Sequence, residues 1–349
     1  MDNILPTYND PLFSIFIVVV LVLLTAIVSN VVGSYKRAKQ HKSLSAFVGQ
    51  ISTDSCSLEV HKIPFEEALI YPLSLLAQTL TSQGEYQKAI NVYLYLIKHI
   101  NRFEEKELIL EDFGKTYLKG GFLRRAEAIF LEILHKHPRN KEALYKLEVV
   151  YELLNDYDKA METLNPLEIM GERIQRLEAH LQLSQLLKAS SYSPHEVALI
   201  LQGYIKEGHY DYRRIIQELF RRDLTVAWVS IDLDRIEMIL DILWFLPTSN
   251  LNFDIILSNK TLYALYQAKG VMPLSEESCE SGIFAIDGMI AARRGGYEEM
   301  DLRFVYGCDR CKGEFPITFV RCPNCYAINS IQIKESIAKK RSQTGYSLL

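Results

Sequence analysis

Four of the six cysteines in 349 residues fall in one short stretch near the C-terminal end, as the pairs Cys308/Cys311 and Cys322/Cys325 with ten residues between the pairs. Each C-x-x-C turn aims two sulfurs at one centre. Two such knuckles joined by a short hairpin complete a tetrahedral shell of four thiolates, which is metal-binding chemistry. The β-branched and aromatic content of 302–306, 315–320 and 328–333 predicts the short strands that carry the knuckles, and Gly313 and Pro323 sit where tight turns are needed. The reading is a small zinc ribbon over 301–335. Four thiolates around Zn2+ leave a net charge of about −2, and structural zinc contributes about 10–16 kcal/mol to folding in small modules. Iron also suits four sulfurs, so a rubredoxin-like iron site is the alternative occupant. Zinc is favoured because the chain shows no accompanying redox motif. Cys56 and Cys279 stand alone and read as ordinary thiols.

The elements that must hold this module begin at the other end of the chain. Residues 12–33 contain no charged side chain, a length of about 33 Å as a helix, enough to cross the hydrocarbon core of a bilayer. Asp2 and Asp10 precede this run, whereas Lys36, Arg37, Lys39 and Lys42 follow it at once. That asymmetry predicts a transmembrane helix with residues 1–11 outside and everything after the span in the cytoplasm. A cleaved signal peptide would be shorter, with its positive charge on the other side. Residues 34–69 form a basic linker or juxtamembrane segment. In a reducing cytoplasm four clustered cysteines hold metal rather than form disulfides.

From residue 70 the chain becomes periodic. One copy of the pattern has Leu73, Ala77, Leu80, Gly84, Tyr86, Ala89 and Tyr93. A second has Leu110, Phe113, Gly114, Tyr117, Gly121, Ala126, Phe130 and Pro138, and a third has Leu144, Leu147, Tyr151, Asn155, Tyr157, Ala160 and Leu164. The spacing from Ala126 to Ala160 is 34 residues, and that from Ala89 to Ala126 is 37, placing a three-residue insertion near 101–106. This is the tetratricopeptide pattern, a helix of large apolar residues, a tight turn, and a second helix whose alanine permits close approach. Gly84, Gly121 and Asn155 are positioned to end first helices in the left-handed conformation, and Pro138 to end a second helix.

Beyond residue 171 helices continue at 172–188, 232–245 and 253–269. A fourth, degenerate repeat is marked by Val197, Leu201, Tyr204, Gly208 and Tyr210, with Arg213 standing where the small residue should be. Stacked repeats over 70–270 leave a concave face for protein partners. Residues 271–300 read as a connector, with a helix end at Arg293, Arg294, Gly295 and Gly296. No metalloprotease, phosphate-loop or serine-hydrolase signature is present, so a non-enzymatic protein is expected, with no catalytic or cofactor-binding residues. Asp232 and Asp234 form a D-x-D pair that a helix start explains as well as metal binding does. The net charge of −4 argues against a nucleic-acid binder. The eight Lys/Arg against three Asp/Glu from 303 to 341, leading into a basic tail at 336–349, are offset in part by the thiolate cluster.

The order of an N-terminal span, helical repeats, and C-x-x-C, ten residues, C-P-x-C with a following Ile-rich strand resembles the bacterial lipopolysaccharide assembly protein B family. The likeness is closest at Cys308, Cys311, Cys322, Pro323, Cys325, Ile331 and Ile333. The segment before the span, the long linker, the stretch 271–300 and the small number of clear repeats depart from that pattern. The resemblance implies a non-enzymatic adaptor, single-pass in the bacterial inner membrane, with a rubredoxin-type ribbon packed against the repeats. It further implies that the adaptor links a lipid A biosynthetic deacetylase to a membrane protease and so regulates lipopolysaccharide synthesis. A general membrane-tethered scaffold for another complex, and a rubredoxin-like electron carrier, are the alternatives.

Overall fold

A computed structural model describes residues 65–189, 191–274 and 281–340. The expected span 12–33, nearly all of the linker, Cys56, Cys279 and the tail from residue 341 lie outside the described residues. Among the described residues no helix is long and apolar enough to cross a membrane. The chain divides into two compact units, Met1–Leu154 and Asn155–Leu349.

In the first unit, α1 (Ile70–Ser82), α2 (Tyr86–His99), α3 (Phe103–Lys119), α4 (Leu123–Lys136) and α5 (Lys141–Leu153) pack each on the next. The turns explain why the chain reverses where it does. Gly84 and Gly121 adopt φ of 81° and 77°. The following amides, of Glu85 and Phe122, reach back to the carbonyls of Leu80 and Tyr117 at 2.9 Å, which satisfies groups a helix end would otherwise leave bare. Ala89 and Ala126 are fully buried where paired helices approach. The extra residues implied by the 37-residue spacing lengthen a helix, since α3 has 17 residues against 13 in α1. Polar bonds join successive first helices, with Thr81 and Thr116 hydroxyls 2.9 Å apart in the interior and Gln78 donating to Asp112 at 2.7 Å outside it.

The second unit opens with α6 (Tyr157–Glu162) after Asn155, whose φ is 58°. It continues through α7 (Leu164–Ile169), α8 (Gln175–Lys188), α9 (Pro194–Lys206), α10 (Tyr212–Arg222) and α11 (Leu224–Val229). The helix expected at 232–245 is instead a 3-10 segment, Leu233–Ile239, bent at Arg235, followed by α12 (Leu240–Phe245). That expected at 253–269 is broken into α13 (Phe253–Ser258) and α14 (Lys260–Lys269), because the Asn259 side chain caps the second piece at the Leu262 amide, 2.9 Å away. A further helix, α15 (Phe284–Arg294), lies in the stretch read as a connector and buries Ile286, Met289 and Ile290.

The chain then forms a three-stranded antiparallel sheet in the order β2-β1-β3, from β1 (Met300–Cys308), β2 (Glu314–Phe315) and β3 (Ile331–Lys339). β2 is far shorter than the 315–320 strand expected from composition and ends at Phe315. β3 runs on into the expected basic tail. Its register pairs Met300 with Lys339 and Cys308 with Ile331.

One apolar core runs from Leu183 and Ile216 through Leu240, Leu265 and Ile286 to Leu302, Phe304 and Tyr306, so sheet and helices share an interior. Within it lies a charged cluster. Arg213 makes two 2.6 Å bonds to the carboxylate of Asp241 and donates to the Met238 carbonyl at 2.8 Å, and Tyr306 donates its hydroxyl to Asp241 at 2.8 Å. Side chains of Arg213 and Asp241 are only 9% and 5% exposed.

Two measurements test this account. A Cβ at Gly114 would stand 2.7 Å from the Phe130 ring, so Gly114→Val should lower stability by about 1–3 kcal/mol in urea titration, the usual cost of overpacking. Asp241→Ala should cost about 3–5 kcal/mol by leaving Arg213 buried and unpaired. Combining Asp241→Leu with Arg213→Met should recover part of that loss in the same titration.

Candidate metal centre

The two knuckles are built alike, fourteen positions apart. In the first, the Lys312 amide bonds the Cys308 carbonyl and the Cys308 amide bonds the Gly313 carbonyl, both at 2.9 Å. In the second, the Tyr326 amide bonds the Cys322 carbonyl and the Cys322 amide bonds the Ala327 carbonyl, again at 2.9 Å. The residue after each second cysteine takes a left-handed backbone, φ 60° at Lys312 and 63° at Tyr326. This reversal turns the amides after each first cysteine inward, toward the sulfurs. The amides of Arg310 and Cys311 bond Cys308, and those of Asn324 and Cys325 bond Cys322.

All four sulfurs predicted from the spacing are brought together, within 4.8 Å of one another. Across the knuckles, Cys308 and Cys325 are 3.7 Å apart and Cys311 and Cys322 are 3.6 Å apart. A tetrahedral zinc with its usual bonds to sulfur has edges of about 3.8 Å, so the donor set fits a metal ion of that kind. Cys308 and Cys322 are buried and the other two half-buried.

The thiols differ in acidity. Burial pushes Cys308 upward, but bonds from the Ser330 hydroxyl and from the Cys311 and Arg310 amides outweigh it and bring the group down to about 6. Cys311 is also lowered, chiefly by the Gly313 amide. Burial raises Cys325 and pushes Cys322 up to about 12. Hydrogen bonds thus favour the thiolate at Cys308 and Cys311, whereas burial favours the protonated thiol at Cys322 and Cys325.

The sheet places the centre through β1. Cys308 ends that strand, two residues after Tyr306, whose hydroxyl is held by Asp241. Trp244 donates its indole N–H to Asp301 at 2.9 Å, Phe245 meets the edge of Phe304 with ring centres 5.5 Å apart, and Arg213 reaches Thr318 at 3.4 Å. Ser330, at 3.3 Å from Cys308, and the Arg213–Asp241–Tyr306 cluster were not among the residues expected from sequence to matter for the centre. The signal for the cluster was present, in an arginine occupying the small-residue position of a repeat. By contrast Asp232 is a cap, its carboxylate accepting from the Asp234 amide at 3.1 Å and pairing with Arg235 at 3.1 Å.

Helices and centre together define a helical-repeat protein with a four-cysteine module in its C-terminal sheet, and the tetratricopeptide repeat profile matches residues 73–102. Among characterised proteins the chain is similar to lipopolysaccharide assembly protein B of Escherichia coli strain K12, with 23% identity over 141 residues, 40% of this chain and 33% of that protein. The proteins of the same name from Escherichia coli O6:H1 and O157:H7 match to the same extent. The matched stretch thus spans a third of the length of these relatives.

Metal uptake should be proton-linked. Cys322 and Cys325 have raised affinities for protons and must lose them to become ligands, so binding should weaken as pH falls and release protons near neutrality. Competition with a chromophoric chelator between pH 6 and 8 reads the first, and calorimetry in buffers of different ionisation enthalpy reads the second. Equal affinity across that range would contradict the assignment.

Proposed function

We propose that the protein is an adaptor anchored in the bacterial inner membrane by residues 12–33, with its N-terminus outside and its repeats and ribbon in the cytoplasm. Cys308, Cys311, Cys322 and Cys325 hold one Zn2+ as a structural ion. The four sulfurs fill the tetrahedron and leave no position for substrate, so the ion supplies rigidity and not catalysis. Proteins bind on the concave face of the repeats, and the protein regulates lipopolysaccharide synthesis by bringing a lipid A biosynthetic deacetylase to a membrane protease.

One observation carries this reading. A chain with a tetratricopeptide repeat and four converging cysteine sulfurs is similar to proteins named for lipopolysaccharide assembly. The shared core between the ribbon and the last helices supports a centre that braces a binding surface. The choice of zinc rests on the donor set together with the lack of any redox partner motif.

Depletion of the protein should raise deacetylase abundance and lipopolysaccharide content several-fold, and re-expression should reverse both. Unchanged levels of the enzyme and of lipopolysaccharide would sink the reading. Purified protein should be colourless and contain one zinc per chain, whereas visible thiolate-to-iron absorption would transfer the site to iron.

A further inference from the structure

The sheet has an unfinished edge. β1 is paired with β3 along all nine of its residues, but with β2 only at Tyr306 and Gly307. The hydrogen bonds fix which groups face which way. Lys340 donates to the Glu299 carbonyl at 3.0 Å and Asp309 to that of Ser330 at 2.7 Å, so odd-numbered residues of β1 bond toward β3. Even-numbered residues face the other side, as the Cys308 amide does in bonding Gly313. Met300, Leu302 and Phe304 therefore direct their backbone groups to a side where, among the described residues, no strand pairs with them. Asp301 covers one of these groups, its carboxylate accepting the Leu302 amide at 2.9 Å. The Leu302 carbonyl and both backbone groups of Phe304 face this unpaired side, although as whole residues the two are only 4% and 7% exposed. β2 ends at Phe315, so its pairing does not continue along β1.

A groove of about 1340 Å³ runs beside this edge, lined by Phe245, Arg303, Phe304, Pro316, Lys339 and Lys340 among others. Phe245 is 64% exposed although its ring rests on Phe304. The acids here already have partners. Glu299 pairs with Lys339 at 3.4 Å and Asp301 accepts from Trp244, whereas Arg303 projects from the exposed face of β1 and Lys340 flanks the groove, neither in an ion pair among the described residues. The charge left to recognise a partner is positive.

We propose that the β1 edge over 300–305 is a docking site for an extended segment of another protein, bound as an added strand, with an acidic side chain beside Arg303 and apolar side chains beside Phe245. Backbone bonds to Leu302 and Phe304 supply the pairing, which is indifferent to sequence. The arginine and the phenylalanine supply the selection, since cross-strand neighbours of opposite charge are favoured. Six strand residues span about 20 Å, the reach of a short linear segment. The surface is formed by β1 and the end of α12, and this proposal is independent of the adaptor reading.

The test is hydrogen exchange at the Phe304 amide in the full chain, with and without an acetylated, amidated Val-Glu-Val-Glu-Val-Glu peptide. The acidic peptide should slow exchange about tenfold at saturation, and its Val-Lys counterpart should not. Arg303→Glu should reverse that preference, with the Tyr306 and Cys308 amides reporting that the sheet remains folded. A copy of the acidic peptide methylated on alternate backbone nitrogens should give no protection. Lack of protection by either peptide, equal protection by both, or equal protection by the methylated copy would overturn the proposal. So would slow exchange before any peptide is added: if independent of protein concentration it means that the chain covers its own edge, and if concentration-dependent it means that a second copy does.

Discussion

The contact on which the second unit depends is the buried bond between Arg213 and Asp241. A guanidinium and a carboxylate both withdrawn from water are costly unless their geometry is good and their remaining groups are satisfied. Here the fork of the arginine meets both carboxylate oxygens, the Met238 carbonyl takes one further donor, and the Tyr306 hydroxyl bonds the acid as well. The pair therefore joins α10, the bent segment before α12, and the strand that ends in the first cysteine. Burial and the neighbouring anion of Asp241 both raise the Tyr306 pKa, so the phenol stays protonated and remains a donor. An apolar contact could fill the same volume, but it would not fix the orientation of β1 through the directional bond from Tyr306 to Asp241.

Directionality also separates the two modules. Helix packing in the first unit relies on volume, with fully buried alanines and a glycine facing the Phe130 ring. The centre relies on donors, amides turned toward sulfur by two left-handed residues. The first arrangement tolerates repetition, because each helical pair needs only a neighbour of similar shape. The second tolerates little, because every ligand must be present before the shell closes.

Much of this was legible in the sequence because the relevant signals are local. C-x-x-C spacing, the Gly84 and Gly121 turns and the alanine positions each depend on a few adjacent residues, and the structure places them as read. Signals that failed were those decided at a distance or by one side chain's alternative bond. Asn259 broke a helix that apolar periodicity ran together, and the strand that composition favoured over 315–320 ends at Phe315. The role of Arg213 required a partner 28 positions away, which no periodicity announces, although its misfit in the repeat marked the place. The 271–300 stretch hid α15 because its helix is short and lies between Gly282 and the Gly295–Gly296 pair.

The two kinds of bond that hold the ribbon differ greatly in the chain length they close. Contacts among the sulfurs join residues 11 and 17 positions apart, whereas those to the helices span 65 positions at Tyr306 and 105 at Thr318. Loop closure costs entropy that grows with length, and short loops meet sooner. The ribbon thus closes its own loops over short stretches of chain. When it leaves the ribosome the helices on which it packs have already been synthesised, so the sulfur pairs can meet before the long-range contacts to those helices form and then settle onto a surface that is waiting.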